Sequence, residues 1–285
     1  MSHASETLIE STIETFKPWM LSNASHYFYD LLSTRAKVSP AWVTEQLFEV
    51  LEGESKNKET HDNHQAWELT NAVEELLKHY PAIGFNLCKR LIEHWVDCSR
   101  YDKLLIEGAD IDHKIYKGDI EFTNYDPTES YTRHLTHKIY KITNDFLANK
   151  AKEDAPYTTR LLGDWPESSS STLLKLCATT YLANPKSFAT QAFELLTKPS
   201  FLREARTGRY INFYMRQLIT AIYGHLTQAQ RTHLHCCILN TLNDNSWYKI
   251  REASRTADDP KKVLRTYYGE LTYSFLSAIP NVENI

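Results

Sequence analysis

The sequence predicts an all-α fold of helices stacked in antiparallel pairs, an α-solenoid of the HEAT or TPR kind with a small β-hairpin or loop insertion. Three observations carry that expectation. Only 8 glycines and 10 prolines interrupt 285 residues, against a usual glycine share of about 7%. That is too little backbone punctuation for a β-sandwich or a glycine-rich nucleotide fold. Apolar residues recur at helical spacing through most of the chain. Helix starts near 171, 186, 210 and 228 place helix pairs about 40 residues apart, within the range of two-helix repeats.

Taken in order, Ser39-Pro40 opens AWVTEQLFEVLEG, with serine as cap and proline in the first turn. QAWELTNAVEELLKHY follows, with Trp67, Val73, Leu76 and Leu77 as its apolar set. Pro81 opens AIGFNLCKRLIEHWV, whose Ile83, Leu87, Leu91 and Trp95 share one face. The stretch from Thr128 reads as a longer helix striped by Leu135, Ile139, Ile142 and Phe146. Beyond the serine-rich ESSSS come STLLKLCATTYLA, then KSFATQAFELLTK behind Asn184-Pro185, then YINFYMRQLITAIYGHL, TQAQRTHLHCCILNTL and a last helix, KKVLRTYYGELTYSFLSAI. Residues 104–126 break the pattern with β-branched alternation around Lys117-Gly118. This divides the chain into an N-terminal helical unit (1–103), an insertion (104–127) and a C-terminal helical-repeat unit (128–285).

The net charge of −4 is unevenly spread. Residues 1–100 carry 9 Lys+Arg against 15 Asp+Glu, and residues 199–285 carry 11 against 7. Arg203, Arg206, Arg209 and Arg216 concentrate the basic surplus near one helix start. Such a patch is either a solvated helix face or a surface for an acidic partner or a nucleic acid backbone. Five cysteines without a CxxC pair point to reduced thiols. The N-terminus lacks the pattern of a secretion signal, and no window reaches the roughly 18 apolar residues of a membrane span. A cytoplasmic location follows as the expectation.

Candidate chemistry is sparse. The run His233-Leu234-His235-Cys236-Cys237 is the densest group of metal-capable side chains, but a structural zinc site needs four converging ligands, usually two spaced pairs. Thr227 and Gln230 form a capping-box pattern ahead of it. The run therefore reads as one helix turn that buries Leu234, Cys237, Ile238 and Leu242. His61 and His64 fall in a polar loop, and His134 and His137 read as exposed helical histidines. Asp110, Asp112, Lys114 and Glu121 resemble an oxygen-ligand set for Mg²⁺ with a neighbouring lysine, the basis of a rival reading as a metal-dependent nuclease. No P-loop, dinucleotide fingerprint, nucleophile elbow or kinase signature occurs. No catalytic residue, metal or cofactor is assigned.

Residues 198–240, KPSFLREARTGRYINFYMRQLITAIYGHLTQAQRTHLHCCILN, resemble a segment of the C-terminal helical arrays of STAND-type antiviral NTPases of bacteria. LLTKPSFL stands for that family's short leucine-rich turn, YINFYMRQLITAIYGHL for its aromatic helix and TQAQRTHLHCCIL for the helix after it. YYGELTYSFLSAIP resembles the closing L-L-S-A-I-P helix. The likeness spans about residues 160–285. Gln217 stands where the family has glutamate, and Gln230 and His233 stand near its acidic positions. In that family the arrays sense phage proteins, while a P-loop domain and an effector carry the chemistry. The resemblance implies a non-enzymatic recognition module, alone or as a fragment of a longer ancestor, whose partner is a phage protein or an NTPase or effector subunit. Arg206, Arg209, Tyr210, Tyr214 and Arg216 are the candidate contact residues, with core packing as the alternative for the tyrosines. Nucleic-acid binding through the basic patch is the remaining alternative.

Overall fold

The computed structural model of the chain describes residues 3–23, 25–53, 63–98, 134–168, 170–198, 209–240, 269 and 272–280. Among them the fold is all-α, with eleven α-helices, two single 3₁₀ turns and no strand. The helices are α1 (His3–Asn23), α2 (Ser25–Arg35), α3 (Pro40–Leu51), α4 (Asn63–His79), α5 (Pro81–Cys98), α6 (Leu135–Glu153), α7 (Ala155–Leu162), α8 (Ser171–Ala183), α9 (Ala189–Thr197), α10 (Arg209–Ile222) and α11 (Gln228–Asn240). Residues 272–276 add one more helical turn. The expected insertion at 104–126 lies outside the described residues.

The chain divides into two compact units, Met1–Ser99 with Pro127–Phe146, and the remainder. The division falls inside α6. A boundary drawn from sequence near 104–126 assigns all of α6 to the C-terminal unit, whereas packing gives its first part to the N-terminal one. The cause is visible on α5: Phe146 stacks on Phe85 at 5.7 Å, and the Thr143 hydroxyl meets the buried Cys88 thiol.

In the N-terminal unit, α2 packs on α1, α3 and α4, and α5 on α3 and α4. The core is Phe28, Leu32, Val43, Leu47, Leu69, Val73, Leu76, Leu87, Leu91 and Ile92. Leu87, Leu91 and Trp95 are buried as expected and Ile83 is half-buried. Trp67 is a correction, since it stands on the exposed side of α4, where Ala66, Leu69 and Ala72 fill the inner face instead. Only Tyr80 separates α4 from α5. Gly84 lets them approach closely: a Cβ there would sit 2.6 Å from the Leu77 nitrogen and 2.8 Å from its Cα. Ser39 occupies the N-cap position of α3, but its side chain makes no cap hydrogen bond. Its hydroxyl instead accepts from the Arg35 guanidinium at 2.7 Å.

The C-terminal unit is organised around α8. Every residue from Ser171 to Tyr181 is buried, so α8 has no solvent face. Its sequence permits this, because STLLKLCATTYLA holds a single charge, Lys175. Its threonines turn inward to their own helix: Thr179 donates to the Lys175 carbonyl at 3.0 Å and Thr180 to the Leu176 carbonyl at 2.6 Å. Hydroxyls satisfied within the helix in this way let that part of it be wrapped without stranding a polar group. The Ser170 hydroxyl caps it, accepting from the Leu173 amide. Asn184 ends it and donates to the Ala151 carbonyl of α6 at 2.9 Å. The 184–188 turn delays α9 to Ala189, three residues later than the sequence suggests. Asp154 caps α7 by accepting from the Tyr157 amide at 2.9 Å. Gly163, at φ 56°, ends α7 in the left-handed region that favours glycine.

Candidate contact surface

Helix α10 carries most of the candidate contact residues. Its apolar positions 214, 215, 218, 219 and 222 follow helical spacing, and all five are buried in an element that packs on α8 and α9. Tyr214 belongs to this set at 1% exposure, edge-on to Phe213 at 5.5 Å. That corrects the expectation that Tyr214 contacts a partner. Its position in the 214–218–222 stripe places it in the core, where a large ring buries the most apolar area. Arg216 lies on the opposite side and is exposed, with no carboxylate partner among the described residues. Arg209 and Tyr210 open α10, their side chains lying outside the described part, and Arg206 lies wholly outside the described residues.

The structure adds Phe213, 48% exposed and three residues before Arg216. The sequence does not single it out, because YINFYM offers five large apolar side chains in six positions. The signal was its absence from the buried stripe. The exposed side of α10 also receives the chain's C-terminal segment. Thr220 donates its hydroxyl to the Ala278 carbonyl at 2.7 Å, and within that segment Phe275 is buried while Tyr273 is exposed.

The expected capping box of α11 is present in both directions. The Gln230 amide donates to the Thr227 hydroxyl at 3.3 Å, and the Thr227 amide donates to Gln230 Oε1 at 2.9 Å. Leu234 and Ile238 are buried as expected, while Leu242 lies outside the described residues. Cys237 is only partly buried and Cys236 is exposed, so Cys237 sits at the edge of the packed face. Its Sγ lies 3.6 Å from His233 Nε2. Partial burial raises the Cys237 thiol above its ordinary value, and neighbouring Cys236 adds to this. His235 faces elsewhere, stacked on Tyr223 at 5.8 Å with Nε2 3.1 Å from its hydroxyl. Arg231 closes the turn before α11, donating to the Tyr223 carbonyl at 3.1 Å and lying over the Tyr223 ring. These contacts spread the metal-capable side chains of 233–237 around the helix.

The other candidates fare differently. His137 is buried and His134 half-buried, their rings edge-on at 5.1 Å. That corrects their reading as exposed, because α6 is covered on several faces, Thr136, Tyr140 and Asn144 included. His64 is exposed at the start of α4, 3.3 Å from Glu68, and His61 lies outside the described residues. So do Asp110, Asp112, Lys114 and Glu121. Among the described residues no three His, Cys, Asp or Glu side chains converge as a metal site, and no helix is long and apolar enough to cross a membrane. Comparison with protein families, with curated proteins and with solved structures finds no match to this chain.

Proposed function

We propose that the chain is a non-enzymatic, protein-binding helical module, its helix pairs stacked as a solenoid, which serves in the cytoplasm as the target-recognition part of a bacterial antiphage defence system. The observation that supports a contact role is the outward side of α10. There an exposed Phe213 and an exposed Arg216 without a carboxylate partner among the described residues stand on one helix. Aromatic and arginine side chains are the usual energetic centres of protein interfaces. The resemblance of residues 160–285 to sensor arrays of STAND-type NTPases supplies the antiphage reading, and a phage protein or an NTPase or effector subunit is the partner it implies.

The test is affinity capture from infected and uninfected cells, with mass spectrometry and nucleic-acid quantification of the eluate. A phage protein enriched only after infection is the expected result. Arg206→Ala, Arg209→Ala and Arg216→Glu should then each weaken its binding roughly tenfold without changing thermal stability. Capture of nucleic acid, with affinity that collapses as salt rises, would replace this reading with binding through the basic patch.

A further inference from the structure

Helix α1 joins its unit through charge more than through apolar burial. Of residues 6–21, only Ile13 and Lys17 are buried, with Glu6, Ile9, Glu10 and Met20 half-buried. The next two helices are shorter and bury more apolar surface: Phe28, Tyr29 and Leu32 in α2, and Val43, Leu47 and Leu51 in α3.

Polar side chains make the attachment. Glu10 pairs with Arg35 of α2 at 3.5 Å, and Glu14 accepts from the Trp42 indole and the Gln46 amide of α3. Lys17 pairs with Glu49 of α3 and lies 6.0 Å from the centre of the Phe28 ring of α2. This seam is imperfectly satisfied. Arg35 is 8% and Gln46 5% exposed, yet Arg35 Nε and Gln46 Oε1 find no hydrogen-bond partner among the described residues. A buried polar atom without a partner carries its full desolvation cost, which is recovered once water reaches it. Docking of α1 therefore gains attraction between charges and leaves two polar atoms stranded on the residues that α1 meets.

We propose that α1 is a releasable strap, which rising ionic strength lifts off α2 and α3 to uncover the face that holds Phe28, Arg35 and Gln46. The rest of the N-terminal unit stays folded. Salt acts on the force that holds the strap, since charges are screened beyond about 10 Å at 0.1 M and about 3 Å at 1 M. The apolar burial that holds the other helices has no charge to screen. Little apolar area returns to water when α1 leaves, because Ile13 is the one buried apolar side chain among its residues 6–21. The helices beneath it hold one another: α2 keeps its packing on α4, and α3 on α5. Arg35 keeps the Ser39 hydroxyl as a partner. The proposal concerns the N-terminal unit and is independent of the α10 surface.

The experiment is hydrogen–deuterium exchange of the full chain at roughly 0.05 M and 1 M potassium chloride and constant pH, read by mass spectrometry. Peptides from α1 should exchange at least about tenfold faster in high salt, while those from α4 keep their rate. Hydroxyl-radical labelling of Phe28, fully buried with the strap in place, should rise in step. Lys17→Met puts an uncharged chain of similar length at the buried position and removes the pair with Glu49, so its α1 should respond at most about threefold. Lys78→Met, the same change at an exposed lysine of α4, should keep the full response. Exchange of α1 that is equal in both salts, or α1 and α4 that accelerate together, overturns the proposal. So does Phe28 that stays unlabelled while α1 opens, or Lys17→Met that responds like wild type.

Discussion

The two units solve the same packing problem by different means. In the N-terminal unit, helices with one apolar face are tied together by polar side chains that reach across. Arg90 of α5 grips Glu45 of α3 with two bonds, 2.7 and 3.3 Å, and lies over the Phe48 ring at 4.2 Å. Lys37 pairs with Glu75 at 2.9 Å, Gln65 donates to Ser25 at 2.8 Å, and the Trp95 indole donates to the Leu51 carbonyl at 3.1 Å. In the C-terminal unit one nearly uncharged helix, α8, is wrapped by the others, and the polar links run mostly to backbone carbonyls. Lys198 to Pro166, Arg231 to Tyr223, and Asn184 to Ala151 are examples. The difference teaches that charge content decides how many faces a helix can bury. α8 can be enclosed because it carries a single charge and the hydroxyls of Thr179 and Thr180 are satisfied within the helix. The charged helices of the N-terminal unit can be enclosed only where a partner charge waits.

Each unit carries its own reporter of opening, which lets the comparison be tested. Burial pushes the Cys88 thiol up to about 12 and the Cys177 thiol well above its ordinary value, whereas Cys98 and Cys236 are exposed. In the native protein at mild alkaline pH, Cys98 and Cys236 should be alkylated first, with Cys88 and Cys177 protected until their unit opens. Peptide mapping of the labelled sites checks this, and equal rates at all four would contradict the buried cores.

The largest effect is expected at the centre of α8. Leu176→Ala removes a fully buried side chain from a helix with no solvent side to relax into, at a cost of about 2–5 kcal/mol. Urea unfolding should show it, with Cys177 becoming reactive before Cys88. Gly84→Ala comes next. The added methyl meets backbone atoms of α4 rather than a movable side chain, so the two helices must part, at about 1–3 kcal/mol despite alanine's better helix propensity. Here Cys88 should become reactive first. Gly224→Ala, where nothing lies within 4 Å, is the matched control and should cost little.

Smaller still is Thr227→Ala, which removes one side of the capping box and should cost about 1 kcal/mol, read as a drop in the melting temperature. Glu45→Gln is expected to be smallest, under about 1 kcal/mol, because the pair is exposed. It has a pH signature. The Arg90 guanidinium holds the Glu45 carboxyl below its ordinary value of 4.5, so the pair's contribution is fully present above that pH and fades as pH falls below it. The gap between wild type and Glu45→Gln should therefore be open at neutral pH and close in acid. A gap that widens on acidification would refute the assignment.

How much of this was legible beforehand varies by residue. The helices α3 to α6 and α8 to α11 follow from periodicity and punctuation, and the Thr227–Gln230 box needs only a four-residue window. α7 was readable from Asp154 and Pro156, a cap and a first-turn proline, but is too short for a periodic signal. α1 was not assigned as a helix at all. Its charges at 10, 14 and 17 recur at the spacing normally kept for a core face, so its pattern reads in either direction. Of the candidate contact residues, Tyr214 went to the core and Arg216 to the surface, and Phe213 was identified only once the buried stripe of α10 was known.

The sequence by itself determined the helical class and most helix ends, because hydrogen bonds within a turn and side chains three or four residues apart are local. Only the tertiary structure decided which face of α1 points inward, that His137 is buried, that Trp67 is not, and that α4 and α5 meet at Gly84. The first three depend on neighbours distant in the chain, and the last on how α4 and α5 fold back on each other at Tyr80. A helix with two usable faces takes its orientation from whichever neighbour satisfies its charges, and that neighbour is fixed only by packing.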